Sequence, residues 1–217
     1  MADPPTSEGY APVVGSGADL GRREQLWRAL TALGDLHFAH FSAPAAAYPY
    51  WRRSTLVLPG RLDGHLRLGR AMLDGATSAG GGKADGKAAS EGLLALQRAA
   101  ALEPLAGEEL RAIGAASGEA LRTRLHGMSG MYECIAPLEY AAALAGAVRR
   151  SPKKRLPKGH LDSAEAALAR AEQWCDGGDG PAMVADAALA LRPACDKARR
   201  ARERQEHARR MDELGEL

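Results

Sequence analysis

The chain has 217 residues, enough for one ordinary domain or several short repeats with a core of useful size. Its 29 Lys and Arg against 27 Asp and Glu leave a formal charge of +2, which excludes the strongly basic total of a dedicated nucleic-acid-binding domain and makes any basic preference local. Three cysteines, Cys134, Cys175 and Cys195, are too few and too widely spread for a disulfide framework, and no apolar stretch approaches the ~18 residues of a membrane helix, so a soluble protein in a reducing, cytoplasmic interior is expected.

Residues 1–21 are rich in Pro and Gly, show no basic segment followed by an apolar run, and read as a flexible arm. From Arg22 onward Ala, Leu and Arg dominate while Val and Ile are scarce, which predicts an almost entirely α-helical chain; only residues 54–58 offer anything like a strand. A first helix carries the phrase Leu30-x2-Leu33-Gly34-x2-His37, a later one His65-x2-Leu68-Gly69-x2-Met72, and a third Leu110-x2-Ile113-Gly114-x2-Ser117. Breaks are expected at a Gly-rich loop over 77–85, a Pro/Lys/Arg linker over 151–159 and a Gly/Asp/Pro turn over 176–181. Residues 196–217 are highly charged and predict a long terminal helix with one thin stripe, Ala198, Ala201, Ala208 and Met211.

Each of the three Leu-Gly phrases is followed by a second pattern of small-x3-large-x2-small and a closing proline, and a fourth such pattern follows a helix that has Ala169 where the glycine would stand. The four instances are Ala47, Trp51, Ser54 and Pro59; Gly92, Leu96, Ala99 and Pro104; Tyr140, Leu144, Ala147 and Pro152; and Pro181, Ala185, Ala188 and Pro193. Pro59 stands ten residues before Gly69, and Pro104 ten before Gly114. In this two-part phrase the chain resembles the tetratricopeptide (TPR) superfamily, with degenerate repeats at about 27–61, 62–106, 107–154 and 162–195 separated by insertions. The resemblance implies antiparallel helical hairpins stacked as a short right-handed solenoid, closed by residues 196–217 as a C-terminal capping helix. Gly34 and Gly69 fall where the first helix of a hairpin is crossed by the second, with Ala99, Ala147 and Ala188 as the small partners. Pro49 falls inside the second helix of the first hairpin, which is therefore expected to begin near Tyr48.

The family binds partners on the concave face of its first helices. Carried over position by position, that face comprises Arg28, Thr31, Asp35 and Phe38, then Asp63, Leu66, Arg67, Arg70 and Leu73, then Glu108 and Arg111, and finally Arg170, Gln173 and Trp174. An arginine-rich groove with two aromatics suits an acidic peptide or helix, since guanidinium groups fork onto carboxylates. Thr31 and Asp35 stand where chaperone-binding members have Lys and Asn, and an Asp would repel a C-terminal carboxylate. A second candidate surface is the basic run Arg149, Arg150, Lys153, Lys154, Arg155 and Lys158.

Catalytic and cofactor patterns are weak. Gly82-Lys83 lacks the flanking residues of a phosphate loop, His37 and His40 have only Asp35 nearby as a third metal ligand, and Cys134 has no histidine near it in sequence. The expectation is a non-catalytic scaffold or adaptor without cofactor, a subunit of a hetero-complex that contacts neither membrane nor nucleic acid. Its insertions between helices are similar in style to repeat scaffolds of cilia and the cytoskeleton. An all-α enzyme or ligand-binding domain with coincidental glycine phrases is the other reading of the same residues.

Overall fold

The computed structural model describes residues 17–78, 83–102, 131–151 and 153–215. These form seven α-helices and, among the described residues, no strand. The helices are α1 (Gly17–Asp35), α2 (Pro44–Val57), α3 (Leu62–Ser78), α4 (Lys83–Ala101), α5 (Ala136–Arg150), α6 (Leu161–Trp174) and α7 (Gly180–Gly215). Two wider π turns extend them, Leu36–His40 after α1 and Met131–Ile135 before α5. Each helix packs on the next in sequence, and α5 packs also on α7.

Glycine decides how closely the first hairpins approach. A Cβ on Gly34 would lie 2.3 Å from Trp51 Nε1, so the α1 backbone lies directly against the buried indole of α2. In the α3–α4 hairpin two glycines face each other: a Cβ on Gly69 would meet Leu96 at 2.6 Å, and one on Gly92 would stand 3.0 Å from the Gly69 carbonyl oxygen. The expected crossings at Gly34 and Gly69 are thus present, with large residues closing the space around them. Ala47, Trp51, Leu68, Met72 and Ala95 form one core cluster; a larger one joins Leu62, Leu66, Leu96, Tyr140, Leu144 and Leu191 across α3, α4, α5 and α7.

Several boundaries differ from expectation. Residues 17–21 already belong to α1, and 77–78 and 83–85 extend α3 and α4 into the expected loop. Residues 54–57 are the last turn of α2, where Ser54 Oγ donates to the Trp51 carbonyl at 2.8 Å. That helix starts at Pro44 and not near Tyr48. Pro44 occupies the favoured first position, and Pro49, the sixth residue, forfeits the bond its own N–H would have made to the carbonyl four residues back. Pro59 does follow the end of α2.

Pro193 does not close its helix. It lies inside α7 at an exposed position, while buried Leu191, Ala194 and Cys195 hold the opposite side. As a result residues 196–215 continue α7 outward and do not fold back as a cap. Ala201, Ala208 and Met211 are exposed, and only Ala198 is half-buried. The first helix expected for the third hairpin, with Glu108, Arg111 and Gly114, lies outside the described residues, as do Pro104 and Pro152.

Two of the three cysteines are bonded, against the expectation from their number: Cys134 and Cys175 form a disulfide across 41 positions, with Cα atoms 5.1 Å apart. It ties the turn before α5 to the end of α6, where Leu138, Leu168, Ala171, Val184 and Ala188 form a third cluster. Such a bond persists where the surroundings are oxidising, so the reducing interior inferred from cysteine count loses its support. Cys195 is free and buried.

Candidate functional site

The residues predicted to line a groove divide by what they touch. Asp35, at the end of α1, accepts from Arg67 of α3 at 2.8 and 2.9 Å and from Trp51 Nε1 of α2 at 3.3 Å, so one carboxylate gathers three helices. Phe38 tilts against the Trp51 ring at 5.5 Å and remains 40% exposed. Asp35, Phe38 and Arg67 are therefore brought together, but around each other. Arg70 forks onto Glu139 of α5, and this pairing raises the guanidinium's pKa further. Arg170 donates to the carbonyls of Ala100 at 2.8 Å and Tyr132 at 3.0 Å, closing the end of α4 and the turn before α5.

Arg28 pairs with Glu24 one turn earlier at 3.1 Å. Thr31 and Leu66 are buried, Thr31 Oγ1 donating to the Trp27 carbonyl at 2.9 Å. Trp174 stands 48% exposed at the end of α6. Arg111 lies outside the described residues.

In the basic run, Arg149 donates to the Asp186 carboxylate at 2.7 Å and to its carbonyl at 2.9 Å, fastening α5 to α7. The Lys153 carbonyl accepts from Lys197 at 3.2 Å. Arg150, Lys153, Lys154, Arg155 and Lys158 keep exposed side chains. His37 stacks on Tyr50 at 5.1 Å, and Cys134 is held in the disulfide and offers no thiol.

Three features carry no local sequence signal. Glu24 and Arg61 form an ion pair at 2.6 Å with side chains 9% and 6% exposed, Arg61 also lying over the Trp27 ring at 5.3 Å. Buried Tyr140 shares a 2.6 Å hydrogen bond with His160 Nδ1; burial raises the phenol's pKa and lowers the imidazole's, so both partners of the bond are neutral.

The third is apolar. Leu26 (49% exposed), Leu33 (41%), Leu36 (40%) and Phe41 (61%) expose large side chains along α1 and the turn after it. Leu26 and Leu33, seven positions apart, share one side of α1, away from its contact with α2 through Gly34. Leu33 was visible as part of the Leu-Gly phrase, but that phrase assigns it no exposure.

Comparison with protein-family models, with curated proteins and with solved structures finds no match to this chain.

Proposed function

We propose that the chain is a non-catalytic helical scaffold of TPR-like construction, a subunit that holds a partner protein within a larger assembly. The reading is supported first by the glycine crossings: Gly34 and Gly69 stand against Trp51 and Leu96, as the two-helix register requires. Helices that pack in sequential order bury their apolar faces against neighbours and leave extended surfaces for binding.

The observation that carries a binding role is the exposure of Leu26 and Leu33 on one side of α1, with Leu36 and Phe41 exposed in the turn after it. Leu26 and Leu33 on one side of α1 offer apolar side chains that fit the apolar face of a partner helix. Asp35, Arg67, Arg70 and Arg170 then hold the scaffold's own helices, so the partner's chemistry is apolar before it is acidic. The insertion style favours a ciliary or cytoskeletal setting, while the Cys134–Cys175 bond requires that the assembly meet an oxidising environment at some stage.

Affinity capture with mass spectrometry, comparing wild type with Leu33→Arg/Phe41→Arg, tests the reading. Loss of one specific partner at an unchanged melting temperature is expected. Retention of every partner would remove this surface from the proposal.

A further inference from the structure

The basic linker after α5 has no part in the scaffold's binding surface, and its basic run encloses one hydroxyl. Ser151 follows Arg149 and Arg150 and precedes Pro152, Lys153, Lys154 and Arg155, and it is the one Ser or Thr of the chain with a proline directly after it. The residue caps α5 in an extended conformation, with φ −73° and ψ 123°. Its N–H donates to the Ala147 and Val148 carbonyls at 3.1 Å, so the backbone closes the helix without the side chain. The hydroxyl is left to accept a single N–H, that of Arg155 at 3.3 Å.

This part of the linker is lightly held. Leu156 packs on the main core, but the side chains of residues 153–155 are all exposed. The Lys154 N–H donates to the Ser151 carbonyl at 2.9 Å, and Lys197 of α7 donates to the Lys153 carbonyl at 3.2 Å. Lys154 has φ +45°, a left-handed backbone that a residue with a Cβ leaves readily. Straightening these residues releases the Ser151 hydroxyl from its one partner.

The linker also has positive charge to spare. Arg149 is engaged by Asp186, whereas Arg150, Lys153, Lys154, Arg155 and Lys158 are exposed and have no ion pair among the described residues. Asp162, just after the linker, and Asp196, beside Lys197, are taken by Arg202 and Arg199.

We infer that Ser151 is a phosphorylation site. The donor is a nucleoside triphosphate, and the enzyme is a protein kinase that selects proline after the acceptor and a base three residues on, here Pro152 and Lys154. Ser151 Oγ attacks the γ-phosphorus; the new O–P bond forms as the bond to the β-phosphate oxygen breaks, the nucleoside diphosphate leaves, and the hydroxyl proton passes to the kinase's catalytic carboxylate. The product carries about −1.5 to −2 charges and three acceptor oxygens among the five unpaired cations, so the linker's local charge falls from +5 to about +3. The carbonyl end of α5 disfavours an anion, and the cations outweigh it. A basic run open to acidic surfaces thereby closes on its own phosphate. The inference is independent of the partner surface on α1.

Incubating the full chain with such a kinase, magnesium and ATP, then mapping phosphate by mass spectrometry, tests the site. One phosphate on Ser151 is expected in wild type and none in Ser151→Ala, whose circular dichroism spectrum should be unchanged. No transfer, or phosphate elsewhere with Ser151 bare, would overturn the site. Phosphorus NMR of the phosphorylated chain reads the holding. The phosphate's second pKa, about 6 when unperturbed, is expected lower in the folded protein and to return toward 6 in Lys153→Gln/Arg155→Gln, which keeps Lys154 for the kinase. A midpoint already at 6 in wild type, or one that the double variant leaves unmoved, would overturn the closing of the linker on its phosphate.

Discussion

Between α1 and α4 the helices meet over bare glycine backbone and are clamped by ion pairs, whereas between α5 and α7 they meet largely over alanines and a disulfide supplies part of the clamp. The two solutions differ in what they tolerate. A glycine crossing has no room for any side chain, and a buried ion pair fails when either member is removed. An alanine crossing already holds a methyl group, and a disulfide over 41 positions adds on the order of 2–4 kcal/mol, largely by restricting the unfolded chain. The N-terminal hairpins should therefore respond most sharply to single substitutions.

The largest expected effect is at the buried pair. Glu24→Ala strands Arg61 at 6% side-chain exposure and should cost about 3–5 kcal/mol in chemical denaturation. Adding Arg61→Met should recover most of that loss, because two apolar groups need no partner. A double variant no better than the single one would show that the charges are not what holds α1 to the start of α3.

Next come the crossings. Gly69→Leu drives a side chain into Leu96 and toward the Gly92 carbonyl, for a loss of about 1–3 kcal/mol or more. Gly86→Leu, on an open side of α4 with nothing within 4 Å, should leave the melting temperature level or slightly raised. Equal melting temperatures for the two variants would break the contrast between glycine and alanine crossings.

How much of this was readable from the sequence follows the same division. The helical class and the crossings at Gly34 and Gly69 were readable, because each is a local rule repeated at fixed spacing. The Glu24–Arg61 pair, 37 positions apart, and Arg70–Glu139, 69 apart, were not: nothing local tells a solvated arginine from one whose carboxylate arrives from another helix. That is why Asp35, Arg67, Arg70 and Arg170 read as partner-facing when their contacts lie within the chain. Pro193 misled for the opposite reason. Proline is a strong local signal, but its effect depends on which side of the helix faces water and what is buried opposite.

The smallest effect also distinguishes the regions, through two histidines held neutral. His65, 6% exposed, has its pKa lowered below 6.5 mainly by burial and further by Arg98, against the Pro59 carbonyl, which accepts from Nε2 at 3.0 Å and opposes the shift. His160, at the start of α6, is also lowered by burial but is only half-buried. Well above pH 6.5 both are neutral whether the chain is folded or not. As pH falls through 6.5 the unfolded chain takes up protons that the folded chain resists, so stability declines on the acid side. The melting temperature should therefore fall between pH 7 and pH 5.5, and His65→Gln should flatten that decline more than His160→Gln, because the deeper ring resists its proton more strongly. If His160→Gln flattened it equally or more, the Tyr140–His160 bond would be the stronger brake on protonation, and the acid-sensitive contact would lie in the disulfide-bonded half.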